Sequence, residues 1–133
     1  MKLIFTGTLY FLLTMNWFSG RSNEDWIHLT HTDEIKKIIS ISYEIPVVIY
    51  KHSSRCGLSF MTERDLQEGW ESLKPRVRFY FLDLIRYKDV SASVAQTFGI
   101  RHQSPQVLII KNGQCIYDAS HHAIRVDTIL ANL

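Results

Sequence analysis

The chain has 133 residues, enough for one domain with a full core and too few for two ordinary ones. An apolar share of 46% and a charged share of 21% exclude wholesale disorder. A formal charge of +2, from basic residues that form no run and no zinc-finger spacing, argues against nucleic acid as a partner.

Residues 1–18 (MKLIFTGTLYFLLTMNWF) are mostly apolar with one early Lys. They have the basic start and apolar middle of a signal peptide, but Trp17-Phe18-Ser19-Gly20 is a poor cleavage site. A membrane span needs about 20 apolar residues, so the run is marginal as an anchor. Met15 offers an alternative start, after which the chain begins as an ordinary soluble one. Two readings stay open: a signal or anchor, or a start-site artefact. The segment 1–23 is therefore set apart from a domain at 24–133. Two cysteines make no secreted disulfide framework and suit a reducing compartment, so the expected location is cytoplasmic. Membrane contact or export follows only if residues 1–18 are a genuine targeting segment.

Asp25 to Thr30 alternates apolar and polar side chains and predicts a short first strand. Thr32 or Asp33 then caps a helix whose stripe is Ile35, Ile38, Ile39 and Ser42, ended by Glu44-Ile45-Pro46. Val47 to Tyr50 is apolar on both faces, as in a central strand covered on both sides. KHSSRCGLS (51–59) leads into a helix over Phe60 to Trp70 that ends between Gly69 and Leu73. Val77 to Ile85 reads as the third strand, and Lys88 to Phe98 as a helix with Val90, Val94, Ala95 and Phe98 inside and Gly99 at its end. Gln106–Ile110 and Gln114–Tyr117 form a hairpin about Asn112-Gly113, and Arg125 to Leu133 a last helix. The order β-α-β-(Cys)-α-β-α-β-β-α, with right-handed crossovers and a closing hairpin, predicts an α/β fold. Its mixed sheet of four to five strands carries helices on both faces, the arrangement of the thioredoxin fold.

Cys56 sits where a strand hands over to a helix, beside small or polar Ser53, Ser54, Arg55 and Gly57. Free helix N–H groups there favour a thiolate, and Lys51, His52 and Arg55 add cationic or proton-handling groups. The expected thiol is reactive, its pKa lowered first by the helix N-terminus and second by those cations. Gly57 exposes backbone N–H groups and lets a partner approach. Where a dithiol enzyme has a second Cys, this chain has Ser59. Cys56-Gly57-Leu58-Ser59 is thus a monothiol site, able to take a small thiol from a mixed disulfide but dependent on an outside thiol for regeneration. Ser59 either donates to the thiolate or is an ordinary first-turn serine.

In thioredoxin-like proteins a cis-proline faces the active sulfur and the backbone beside it pairs with substrate. Ser104-Pro105 occupies that place, so the resemblance implies a cis bond. Cys115 reads as structural, with a resolving cysteine as the alternative. His121-His122 lack a third ligand at metal spacing and read as capping or surface residues. No metal is expected. Asp83 is either a proton acceptor near the sheet centre or a strand-end acid, and Tyr87, Lys88 and Asp89 form a turn and helix cap.

VIYKHSSRC at 48–56, Ser59, FLDLIRYKDVS at 81–91, FGIRHQSPQVLIIKNG at 98–113 and YDASHHAI at 117–124 together resemble the monothiol bacilliredoxins, the YtxJ-like family. The resemblance implies a thioredoxin-like enzyme, with no bound cofactor, that removes the small thiol bacillithiol from protein mixed disulfides. Its partners would be those modified proteins and bacillithiol as co-substrate. Carried over, Cys56 is the nucleophile, Pro105 the cis-proline, and Lys51, His52 and Ser53 shape the thiol pocket. Gly57-Leu58 departs from the residues common after the family's cysteine. Cys-Gly-Leu-Ser is also similar to the Cys-Gly-Phe-Ser site of monothiol glutaredoxins, which can hold an iron–sulfur cluster. The downstream glutathione-binding signature of those proteins is missing, Asn112-Gly113-Gln114-Cys115 being a poor substitute. A redox-inactive thioredoxin-like interaction module is the third reading.

Overall fold

The computed structural model describes residues 23–133, so the readings made for residues 1–18 lie outside the described residues. Among the described residues, no helix is long and apolar enough to cross a membrane.

Strand β2 (Val47–His52) is buried at every position. Since strand side chains alternate faces, such a strand must be covered twice. Val48 and Tyr50 enter one apolar cluster with Phe79 and Phe81 of β3 (Arg78–Asp83) and Val107 and Ile109 of β4 (Gln106–Lys111). Leu66, Trp70, Leu73 and Ile129 close that layer from α2 (Gly57–Glu68), α3 (Trp70–Leu73) and α5 (Val126–Ala131). Val47 and Ile49 enter the opposite cluster with Tyr80, Leu82, Leu108 and Ile110. There α1 (Glu34–Ile41) supplies Ile35 and Ile38, and α4 (Lys88–Phe98) supplies Val90 and Val94.

The sheet order is β1-β3-β2-β4-β5, with β1 at Ile27–His28 and β5 at Gln114–Ser120. β1 and β2 each run parallel to β3; β2 with β4, and β4 with β5, are antiparallel. Five strands and helices on both faces match the architecture expected from the element order. β1 is shorter than its alternation suggests, and both of its residues are exposed. It lies at an edge, and this end of the chain is held instead by Trp26, which stacks on Phe79 at 4.5 Å and meets Trp70 edge-on at 6.0 Å.

Other local expectations shift in detail. Neither Thr32 nor Asp33 caps α1 through its side chain. Glu34 Oε1 does the work, accepting from the Thr30 and His31 amides and from Thr30 Oγ1. Ser42 is not the last rung of an apolar stripe but a clip. Its carbonyl and Oγ accept from the Asn112 and Gly113 amides at 2.9 and 2.8 Å, and its hydroxyl donates to Ile39 O. This pins the hairpin turn, where Asn112 and Gly113 have φ of 51° and 77°, the left-handed values a two-residue turn requires. Cys115 lies near that turn: it pairs with Ile110, which pairs with Val47, at the end of β2 away from His52.

Candidate active site

The turn after β2 closes with the Cys56 amide donating to Ser53 O at 3.1 Å. Cys56 has the extended backbone of a helix N-cap (φ −117°, ψ 115°), and α2 starts at Gly57, about a turn before the expected Phe60. A Cβ built on Gly57 would meet nothing within 4 Å, so the space ahead of the cysteine is open. The Cys56 thiol is half-buried and held below its ordinary pKa. The Ser59 amide contributes most, the Leu58 amide and Ser59 hydroxyl contribute further, and partial burial opposes them. The expected second contribution is corrected here: Lys51, His52 and Arg55 are not among the groups that lower it.

Ser59 is the residue that fixes this geometry, and it is fully buried. Its amide donates to Cys56 O at 3.0 Å, its Oγ accepts from the Ser53 amide at 3.2 Å, and its carbonyl accepts from Tyr50 Oη at 2.8 Å. These bonds hold Ser59 in the first turn of α2, directly beneath the cysteine.

Strand parity separates the two residues before the turn. His52 shares a face with Val48 and Tyr50, the α2 side, and its Nδ1 lies 3.3 Å from Tyr50 Oη and 3.6 Å from Glu63 Oε2. Lys51 shares the other face. Its fully buried ammonium donates to Ser91 O and lies 3.3 Å from His102 Nδ1, beside α4. Desolvation holds its pKa down to about 8. Lys51 therefore lies on the far side of the sheet from α2 and the cysteine turn. Arg55 and Gly57 are exposed at the mouth, and Ser53 is buried behind it, its Oγ accepting from the Arg55 amide.

The Ser104–Pro105 bond is cis. Gln106 pairs with Lys51, so the register carries Pro105 to the level of His52, at the end of the sheet where Cys56 stands. Gln106 is fully buried, and it pins the loop by donating to Arg101 O and accepting from the Gln103 amide. Pro105 O accepts from the His121 amide at 3.1 Å, tying the loop to the 3-10 turn His121–Ala123. The Ser104 hydroxyl is buried with no partner among the described residues. A groove of about 590 Å³ runs from Leu58 and Met61 along α2 to His121, His122 and Val126.

Three further sequence candidates make contacts of their own. Asp83 is a strand-end acid whose Oδ1 accepts from the Ile85 and Arg86 amides. Cys115 is half-buried, its Sγ bonds Tyr117 O, and burial pushes its thiol up. Among the described residues no cluster of His, Cys, Asp and Glu is placed to hold a metal, His121 and His122 included. Sequence reasoning missed Glu63, which is buried although ionisable. Its signal was its place beside Ser59, Thr62 and Leu66 on the inner stripe of α2.

Comparison with known proteins comes down on one side. A family model described as monothiol bacilliredoxin BrxC matches residues 27–129. Mitochondrial thioredoxin 3 of Saccharomyces cerevisiae, in its oxidised form, is similar at 21% identity and a TM-score of 0.68, over 85% of this chain and 100% of that one. A protein described as a candidate oxidoreductase with a thioredoxin fold superimposes with a TM-score of 0.72 at 22% identity, over 81% of this chain and 93% of that one. The thioredoxin of Malassezia sympodialis gives 0.62 at 23%, over 84% and 88%. At these identities the solved structures establish the thioredoxin fold.

Proposed function

The chain belongs to the monothiol bacilliredoxin family, and on that premise we propose that it is a thiol-disulfide oxidoreductase that takes bacillithiol off proteins through Cys56. The observation that carries this reading is a single sulfur at the α2 N-terminus, lowered in pKa by the Ser59 amide and hydroxyl, with serine where a second sulfur would close a disulfide. In the first step the Cys56 thiolate attacks the bacillithiol sulfur of a protein mixed disulfide. A Cys56–bacillithiol bond forms, the old S–S bond breaks, and the client leaves as a thiolate that takes a proton from water. A second bacillithiol thiolate then attacks the bound one, releasing bacillithiol disulfide and the Cys56 thiolate. The backbone beside Pro105 would take the hydrogen bonds of the incoming chain. Arg55 and Gly57 stand at the mouth where the small thiol would bind, with Ser53 and Ser59 buried behind them; His52 and Lys51 lie deeper, on opposite faces of the sheet.

Mass spectrometry after exposure to bacillithiol disulfide tests this: one bacillithiol adduct is expected, on Cys56. No adduct at Cys56 overturns the exchange reading; an equally fast adduct from glutathione disulfide overturns the assignment of the small thiol. Ser59→Ala gives a graded check. Losing the hydroxyl raises the Cys56 pKa and slows exchange near pH 7 by about 3- to 10-fold. It also leaves the Ser53 amide unpaired, costing about 1–2 kcal/mol of stability, read by urea unfolding.

A further inference from the structure

Two buried titratable side chains next to this site neither give nor take a proton in the exchange steps above. Glu63 and His52 are 6% and 5% exposed, and they face each other across the α2–β2 interface at 3.6 Å. A buried carboxylate so placed is costly unless it shares or keeps a proton.

We propose that His52 and Glu63 together hold an exchangeable proton beneath the active-site turn, and that its release weakens the Cys56 thiolate. The inference rests on the reading of Cys56 as the reacting thiol. The two side chains are positioning residues, acting on the sulfur through its surroundings. The connection runs through Tyr50. Its one hydroxyl proton goes to Ser59 O, so its oxygen is free to accept from His52 Nδ1–H at 3.3 Å. Ser59 in turn presents its amide and hydroxyl to the Cys56 sulfur. Negative charge on Glu63 and on Cys56 both act at the Tyr50 hydroxyl, which places Tyr50 between the two groups.

Charge then decides the direction. Desolvation raises Glu63 to about 7 and lowers His52, so Glu63 keeps its proton below neutral pH. Above it the pair carries one negative charge, and a like charge nearby disfavours the thiolate. The other groups that face the pair modify this without reversing it. Asp83, opposite His52 at the end of β3, opposes the lowering of His52, and Gln67 donates to Glu63 Oε1 at 3.4 Å. From β1, His28 packs on Phe81, whose ring also meets His52.

The test is the ultraviolet thiolate absorbance of Cys56 against pH, in the full chain and in Glu63→Gln. The wild type should titrate over a broadened, two-step range. Glu63→Gln should give a one-proton curve with a midpoint about half a unit lower. Superimposable curves overturn the proposal. Should Glu63→Gln lose its native circular dichroism, the wild type alone decides. Alkylating Cys56 should move the titration step of the His52 ring resonances to lower pH by a reciprocal amount, and an unmoved step overturns the proposal. Neither measurement uses a small-thiol disulfide, so failure here and failure of the exchange reading are separate results.

Discussion

Cys56→Ser should lower disulfide exchange by at least about 10³-fold, a barrier increase of roughly 4 kcal/mol, because a serine hydroxyl stays protonated at neutral pH and does not attack sulfur. The loss should come without loss of fold. Cys56 caps α2 through its backbone, with its amide on Ser53 O and its carbonyl accepting from Ser59, and serine is a strong N-cap residue. Thermal unfolding of Cys56→Ser at or above the wild-type midpoint, beside absent turnover on a bacillithiol-modified protein, would establish the sulfur as the reacting group. Cys115→Ser is the control. Its half-buried sulfur sits near the hairpin turn, so turnover should persist. Residual turnover of Cys56→Ser within tenfold of wild type would move the chemistry off Cys56.

Lys51→Met should stabilise the protein at pH 7. The ammonium is fully buried with a carbonyl and an imidazole for neighbours, and its pKa falls from 10.5 to about 8. A lysine depressed in the folded state contributes stability that is complete above its unfolded pKa and is lost as pH falls through the folded one. The wild type should therefore gain stability between about pH 8 and 10.5, and Lys51→Met should lack that slope. That depression corresponds to about 3 kcal/mol, of which about 1 is returned by the hydrogen bonds that methionine cannot make, leaving a gain of roughly 2 kcal/mol. Urea unfolding of both proteins at pH 7 and pH 9.5 measures it. A less stable Lys51→Met at pH 7 would mean that the ammonium is satisfied where it lies.

Much of this molecule is written in residue spacing. The unbroken apolar run of β2 required cover on both faces, and the clusters around Val48 and Val47 supply it. Asn112-Gly113 announced the hairpin, and Cys56 before Gly57 announced a sulfur at a helix start. What sequence hid was direction. Lys51 and His52 are neighbours in the chain, yet the sheet runs between their side chains; the parity of Val47, Ile49 and Lys51 against Val48, Tyr50 and His52 carries that information. Glu63 was hidden for a different reason. An acid in a helix reads as solvated, and its burial depends on a histidine from another element. Ser42 likewise read as part of a helical stripe, because its amide partners come from a turn far along the chain.

The register that sets Cys115 level with Val47 has a consequence for electron flow. The ladder from Val47 to His52 puts about 16 Å of strand between that level and the turn bearing Cys56, at roughly 3.3 Å per residue. A disulfide needs Cα atoms within about 7 Å. With Cys115 the other cysteine of the sequence, the described fold brings no second thiol to Cys56. It can store no reducing equivalents between encounters. Any disulfide on Cys56 is shared with another molecule, and the electrons that clear it come from outside every time.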